Sequence, residues 1–332
     1  MSSLRTWLQL FRAPNLFTVP GDPLAGYLLA CYGTVEPRIF LPMAASLCFY
    51  AAGLLLNDIA DIAEDRVERP NRPLPSGAAS LVAVGVAMAL LAVGGLVFCF
   101  FVNAWTLGVG VALMFAILGY NMGGKRVLIS GAINMGLCRG LSLLLGATAV
   151  PHGDLSIRLM LHGRLDHLAV AFMLVTFYIA AVTNLARFET KSAAPAIAKW
   201  LPAVVVACGS VSFLRLVHGA NRNSTVTLFV VAIAIAAQTG WQLASQPQQP
   251  LPPAVGKLIG LLLVVQAAFC AAAGRHHRLR CRCVSHHPLA RQPRGWETFL
   301  RELKLRGCDA PVADCFCGAL AAGLRRGLCS GV

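Results

Sequence analysis

The sequence predicts an all-α membrane protein, a polytopic helical bundle of about nine transmembrane helices. Of its 332 residues, 57% are hydrophobic and 13% are charged, whereas a soluble domain carries about 25% charged residues. Apolar runs recur along the chain, and each approaches the roughly 20 residues that a helix needs to cross about 30 Å of hydrocarbon. We therefore expect the lipid bilayer to surround most of the chain.

The apolar runs define nine predicted spans, at 16–33, 39–56, 80–101, 103–119, 133–150, 168–186, 197–217, 226–243 and 254–273. The first run follows Arg5 and Arg12, as a signal peptide would. It contains Pro20, Asp22 and Pro23, however, and lacks a small-residue cleavage site. We therefore interpret it as a retained first helix.

The loops between the spans alternate in basic content. The N-terminal segment and the loops after even-numbered spans hold most of the cations: Arg5, Arg12, Arg66, Arg69, Arg72, Lys125, Arg126, Arg187, Lys191, Lys199 and Lys257. The loops on the opposite side hold fewer: Arg38, Arg158, Arg164, Arg215 and Arg222. The positive-inside rule then predicts a multi-pass protein of the cell membrane whose loop between spans two and three faces the cytoplasm.

The apolar character stops after Ala273, which predicts a membrane domain over 1–274 and a separate tail over 275–332. The tail is rich in Arg, Cys and His and poor in apolar runs, so we expect it to be disordered or read out of the ancestral frame. A zinc site is a weaker alternative, because its Cys-x-Cys spacings differ from those of structural zinc sites. Half of the net charge of +14 belongs to the tail, so the charge alone does not predict nucleic-acid binding.

The loop after the second span concentrates acidic residues, at Asp58, Asp61, Glu64, Asp65 and Glu68. If the span continues as a helix, Asn57, Asp61 and Asp65 follow one another at four-residue intervals along one face. Mg²⁺ takes one or two carboxylates together with phosphate oxygens of a substrate. The spacing therefore predicts a metal-bridged diphosphate site, the alternative being a solvated loop that balances nearby arginines.

Basic residues near this loop are candidates for binding the diphosphate. Pro70, Pro73 and Pro75 predict a turned loop that could hold Arg69 and Arg72 near the anion. Lys125 and Arg126 follow the fourth span, where ordinary positive-inside anchoring is an equal alternative. Arg139 lies within the fifth span and is either a cavity residue or a helix-end cation that reaches the membrane surface.

The segment Asn57–Gly77 resembles the signature of the UbiA family of intramembrane prenyltransferases, which has Asn-Asp-x2-Asp-x3-Asp followed by an Arg-Pro-x-Arg-Pro-like stretch. The resemblance covers roughly residues 4–273 and implies nine spans, Mg²⁺ and a prenyl diphosphate. It implicates Asn57, Asp61 and Asp65 as metal ligands, with Asp58 alongside them in catalysis. It also implicates Asn15 on the first helix, and Lys125 with Arg126 in a loop similar to the family's Tyr-Pro…Lys-Arg segment.

The sequence departs from this family at the end of the sixth span, where a second Asp-rich motif is expected. The stretch 178–191 has one acid, Glu189, which we take as the remaining catalytic carboxylate. The leading hypothesis is prenyl transfer from a prenyl diphosphate to an aromatic or lipid-like acceptor within the bilayer. The alternatives are a catalytically weak carrier for an isoprenoid or lipid precursor, and a solute transporter, for which no inverted repeat is visible.

Overall fold

The computed structural model describes residues 4–31, 36–124, 128–150, 164–189, 194–219, 221–246 and 250–274. Within these ranges the regular structure is helical and no strand occurs. The tail predicted after residue 274 lies outside the described residues. The all-α prediction is therefore confirmed for the part of the chain that is described.

The helices follow one another with short connections. They are α1 (Leu4–Leu10), α2 (Ala13–Leu16), α3 (Gly21–Cys31), α4 (Phe40–Ala60), α5 (Ile62–Glu68), α6 (Leu81–Val102), α7 (Ala104–Asn121), α8 (Leu128–Ala147), α9 (Arg164–Ala186), α10 (Ala196–Leu214), α11 (Arg222–Ser245) and α12 (Leu251–Ala273), with a 3₁₀ turn at Pro37–Ile39. Nine of them, α3, α4 and α6 to α12, overlap the nine predicted spans in order. Seven described helices are long and apolar enough to cross a membrane.

The first predicted span differs most from the structure. Its described helix begins only at Gly21, after the short α2 and a turn over 17–20. Pro20 and Pro23 explain this start, because proline lacks the amide hydrogen of a helix interior but is tolerated in the first turn. The short helix leaves Thr18 and Asp22 buried inside the bundle.

Successive helices pack against one another and form a closed arrangement. α4 packs on α6, α6 on α7, α7 on α8, and so on to α12, which packs back on α3. α3 also packs along α8 and contacts α4, so it touches both ends of this series and its middle. α6 illustrates the lipid-facing side, since it is apolar throughout and few of its residues are buried. The chain is an integral membrane protein.

Glycines allow the central helices to approach backbone to backbone. A Cβ atom on Gly26 of α3 would collide with the Leu143 carbonyl of α8, and one on Gly146 of α8 would collide with the Pro23 carbonyl of α3. Small residues at such crossings are typical of membrane helices, which gain their stability from close packing instead of from exclusion of water. These contacts fix α3 beside α8.

We expect Gly146→Ala to destabilise the bundle, because the new methyl group must displace backbone atoms at Pro23. Overpacking of this kind costs about 1–3 kcal/mol. Gly256→Ala on α12 is the matched control, since nothing lies within 4 Å of its added Cβ atom. Thermal unfolding of the two purified variants should show a lower midpoint for Gly146→Ala alone, and equal midpoints would contradict the packing described here.

Candidate active site

The Asp-rich segment continues α4 through a break at Asp61. α4 ends at Ala60, and Asp61 has φ −94° and ψ 4° before α5 begins at Ile62. Backbone hydrogen bonds still run from the Asp61 amide to the Asn57 carbonyl (3.0 Å) and from the Asp65 amide to the Asp61 carbonyl (2.8 Å). The backbone thus retains the four-residue register that the sequence predicts.

Arginines hold two carboxylates of this segment. Arg72 Nη1 donates to Asp65 Oδ2 at 2.7 Å and lies 3.9 Å from Asp58 Oδ1. Arg12 Nη2 donates to the same Asp58 oxygen at 3.4 Å, and Arg69 Nη1 lies 4.0 Å from Asp65 Oδ1. The Asp65 side chain is 5% exposed and that of Asp58 is 11% exposed. Buried carboxylates need such partners, so the arginines offset part of the cost of burying both acids.

The predicted ligands differ in how they are placed. Asn57 and Asp61 line the cavity described below, whereas Asp58 and Asp65 are not among the described residues that line it. The proline-rich turn after α5 brings Arg72 back onto both of these carboxylates. The catalytic roles of Asp58 and Asp65, and the metal-ligand role of Asp65, stay predictions.

A cavity of about 590 Å³ opens among α4, α7, α8 and α9 beside the Asp-rich segment. This volume lies within the range of about 300–1,000 Å³ typical of small-molecule sites. Its apolar wall includes Val19, Phe49, Leu54, Leu113, Ile117 and Met135. A pocket with an apolar wall below a polar mouth suits a ligand with an apolar body and a polar head.

The mouth of the cavity combines acids with a larger number of cations. Asn57 of α4, Asp61 at the break and Glu64 of α5 lie on one side. Five arginines line the cavity, and four of them lie outside its long helices: Arg12, Arg69, Arg72 and Arg187. Guanidinium groups bind phosphate oxygens in bidentate geometry. The mouth is therefore suited to a polyanion that bridges carboxylates and arginines.

Arg12 reaches the mouth through an unusual backbone conformation. It has φ 46° and ψ 55°, and it is the one non-glycine residue with positive φ among those described. A left-handed conformation in a residue of this size costs about 1–2 kcal/mol. The strain is offset here by an ion pair with Asp58, and the conformation places the guanidinium in the wall of the cavity.

Glu189 lines the cavity from the far side, three residues after the end of α9. Its amide donates to the Ala186 carbonyl at 3.1 Å. Partial burial raises the pKa of this carboxyl, while the charges of Arg69 and Arg12 lower it. Those arginines belong to the Asp-rich side, so Glu189 and the Asp-rich segment share one electrostatic environment.

Arg139 lies deeper in the cavity and is 7% exposed. Its Nε lies 2.9 Å from Asp22 Oδ2, and its Nη2 donates to the Thr18 carbonyl at 2.9 Å. The guanidinium lies 6.0 Å from the ring centroid of Tyr50. Gln266 Nε2 donates to Asp22 Oδ1 at 2.6 Å. A buried network thus joins α3, α8 and α12 beneath the mouth.

The remaining predicted substrate-binding residues differ in their placement. Asn15 is not among its lining residues, and the Asn15 carbonyl accepts a hydrogen bond from the Thr18 hydroxyl at 2.9 Å. Lys125 and Arg126 lie outside the described residues. Arg69, Arg72 and Arg139 all line the cavity.

The sequence reasoning missed several cavity residues. Glu64, Tyr120 and Arg187 line the cavity but are absent from the predicted site. Asp22 was treated only as an interruption of the first span. The sequence did hold a signal for Asp22, since this acid and Arg139 both lie in predicted spans. An acid and a base inside membrane spans usually pair with each other.

The oxygen ligands at the mouth fit a magnesium ion whose shell a substrate completes. Asn57 and Asp61 provide hard oxygen atoms, which Mg²⁺ prefers. Within the described part of the chain, no three His, Cys, Asp or Glu side chains come close enough to hold a metal ion by themselves. The donor set therefore suits Mg²⁺ bound together with phosphate oxygens and water, and not an all-protein cage.

Comparison with known families gives one match that covers most of the chain. The sequence model of the UbiA prenyltransferase family matches residues 23–281. Digeranylgeranylglyceryl phosphate synthase from Methanoculleus marisnigri is 27% identical over 144 residues, which is 43% of this chain and 51% of that protein. The enzyme of the same name from Methanocaldococcus jannaschii is 35% identical over 106 residues, 32% of this chain and 38% of that protein. The chain thus spans about half or less of these relatives.

Solved structures resemble this fold over a greater length. A UbiA homologue from Aeropyrum pernix K1 superposes with a TM-score of 0.62 at 17% identity, covering 76% of this chain and 96% of that one. A UbiA homologue from Archaeoglobus fulgidus bound to GPP and Mg²⁺ superposes with a TM-score of 0.58 at 13% identity, covering 81% and 99%. At these identities the likeness concerns the fold.

Proposed function

Because the chain belongs to the UbiA prenyltransferase family, we propose that it transfers a prenyl group from a prenyl diphosphate to an aromatic or lipid-like acceptor, with Mg²⁺, inside the membrane. The observation that carries this proposal is the cavity, whose apolar wall leads up to a mouth with both oxygen ligands and arginines. The homologue bound to GPP and Mg²⁺ supports the donor and the metal. The curated relatives, named for synthesis of a glyceryl phosphate lipid, support a lipid-like acceptor.

The mouth would bind and orient the diphosphate. Arg12, Arg69 and Arg187 present guanidinium donors to the phosphate oxygens, and these donors are fixed before the negative charge develops on the leaving group. Asn57 and Asp61 would hold Mg²⁺, which supplies further neutralisation of that charge when bound. Breaking the bond to the diphosphate is thereby favoured at the mouth.

The wall below the mouth would bind the prenyl chain. Phe49, Leu54 and Ile117 belong to the apolar wall of the cavity, from which a bound prenyl chain would displace water. Water would otherwise capture an allylic cation, so its exclusion directs the cation to the acceptor. The apolar wall would therefore raise the affinity for the prenyl chain and favour transfer to the acceptor over reaction with water.

The test is a transfer assay with the purified full-length chain in lipid nanodiscs. Radiolabelled geranyl diphosphate would be incubated with a panel of phenols, quinols and glycerol-based lipids, with Mg²⁺ or with EDTA. We expect an extractable prenylated product only with Mg²⁺. Tight binding of the diphosphate without product from any acceptor would instead support the carrier alternative.

We propose that the mouth faces the cytoplasm, as the distribution of Lys and Arg predicts. Ser76 is exposed in the loop that follows the Asp-rich segment, so Ser76→Cys in a cysteine-free background reports the side of the membrane. A membrane-impermeant maleimide should label it only after the cells are opened. Labelling in intact cells would place the mouth on the outer side.

A further inference from the structure

The cavity has a second polar region well below the diphosphate site. Tyr50 and Asn57 both line it from α4, seven residues apart, which is roughly 10 Å along a helix. Arg139 lies next to Tyr50, and the hydroxyls of Ser46 and Ser142 are 2.6 Å apart further along the same two helices. The proposed roles of the mouth leave these groups unexplained.

Arg139 retains one nitrogen that could bind a ligand. Its Nε forms an ion pair with Asp22, and its Nη2 donates to the carbonyl and hydroxyl oxygens of Thr18. Among the described residues no hydrogen-bond acceptor pairs with Nη1, although the residue lines the cavity and its side chain is 9% exposed. Placing an alkyl chain against this donor would leave a charged group without its full set of hydrogen bonds, which is costly. A ligand oxygen at this position would satisfy it.

The charge balance around Arg139 determines which kind of ligand oxygen can bind at its Nη1. Asp22 is fully buried and already neutralises Arg139. A carboxylate or phosphate on Nη1 would add a second negative charge in a region of low dielectric constant, without a second cation among the described residues of that network. A carbonyl, phenol or quinone oxygen accepts a hydrogen bond without adding charge.

We infer that Arg139 Nη1 is the acceptor subsite of this cavity, and that it binds an uncharged oxygen of the acceptor and not an anionic one. The inference rests on the proposed function, since it names the class of acceptor. Tyr50 lies beside the subsite and lines the cavity, so its ring can contact a flat acceptor bound there. Asp22 is a positioning residue, because it orients Arg139 and sets the charge preference without lining the cavity itself.

The test compares two probes that differ mainly in charge, methyl 4-hydroxybenzoate and 4-hydroxybenzoate. Binding would be measured by calorimetry on the full-length protein in nanodiscs with Mg²⁺ and a non-hydrolysable geranyl diphosphate analogue. We expect the ester to bind at least about tenfold more tightly than the acid, as for a hydrogen bond to a charged donor. Equal affinities, tighter binding of the acid, or no binding of either probe would overturn the inference.

Variants separate the subsite from a merely structural role. Asp22→Asn leaves Arg139 without its counter-charge and should shift the preference towards the acid, which a general loss of folding cannot do. Because Arg139→Met alone leaves Asp22 unpaired, the charge-balanced pair Asp22→Asn/Arg139→Met is measured beside it. That pair should lose ester affinity but keep affinity for the diphosphate analogue. Arg215→Met, at an exposed site after α10, is the matched control.

The outcomes for this inference and for the proposed function are distinct. A preference for the ester that depends on Arg139, without prenylated product from any acceptor, would uphold the subsite and contradict the enzyme. Product formation with equal binding of both probes would uphold the enzyme and overturn the subsite. An unchanged preference in Asp22→Asn would also overturn the assignment of charge selection to Asp22.

Discussion

Asp61→Ala should abolish the Mg²⁺-dependent binding of a prenyl diphosphate analogue and lower prenyl transfer by a factor on the order of 10³ or more, as for other lost charge-stabilising groups. Asp61 is the carboxylate of the Asp-rich segment that both lines the cavity and follows Asn57 by one helical turn. Its removal leaves Asn57 without the carboxylate partner that Mg²⁺ requires. Titration of the purified variant with the analogue, with and without Mg²⁺, measures the effect.

Glu68→Ala is the matched control for this experiment. Glu68 is exposed at the end of α5, in the same Asp-rich segment, and is not among the described residues that line this cavity. Its removal changes the loop charge equally but should leave Mg²⁺-dependent binding intact. Unchanged analogue affinity in Asp61→Ala, or an equal loss in Glu68→Ala, would contradict the assignment of Asp61.

Glu189→Gln should lower the rate of transfer by orders of magnitude while weakening ground-state binding only modestly. Glu189 follows α9 and lines the cavity opposite the Asp-rich segment. The charges of Arg69 and Arg12 lower the pKa of its carboxyl, while its partial burial raises that pKa. We expect it to order these cations as charge develops on the leaving diphosphate. An interaction made chiefly in the transition state affects kcat more than substrate affinity.

Single-turnover kinetics and analogue binding separate the two effects of Glu189→Gln. Thr183→Asp is the complementary variant, because Thr183 lines the cavity from α9, three residues before that helix ends. A second carboxylate there should raise turnover if the missing acidic motif limits the wild type. If the glutamine variant lost binding and turnover in parallel, Glu189 would be a substrate-binding residue instead.

The sequence predicts the helices of this fold well because each is a continuous apolar run in a chain that must satisfy its backbone hydrogen bonds within lipid. It fails at the start of α3, where Pro20 and Pro23 shorten the helix. It also predicts the backbone register of Asn57, Asp61 and Asp65, since helical hydrogen bonding passes through Asp61 with little interruption.

The partners of the acids are less predictable, because they depend on how a loop folds back. No spacing rule indicates that Arg72 would bind Asp65 while Asp61 faces the cavity. In the sequence Arg187 resembles an ordinary loop cation. In the structure it directly follows the end of α9 and lines the cavity. Of the three predicted metal ligands, Asn57 and Asp61 line the cavity, whereas Asp65 pairs with Arg72 and stays a predicted ligand.

The Asp22–Arg139 pair has a consequence for the biogenesis of the protein. Each charge enters the membrane on its own helix, and an Asp or Arg is costly there, by about 2.5–3.5 kcal/mol at the centre of a span on insertion scales. Asp22, in the first turn of α3, is synthesised long before Arg139, so it lacks its counter-charge until α8 docks against α3 at the glycine contacts. We expect a chain truncated before α8 to expose this unpaired acid to lipid.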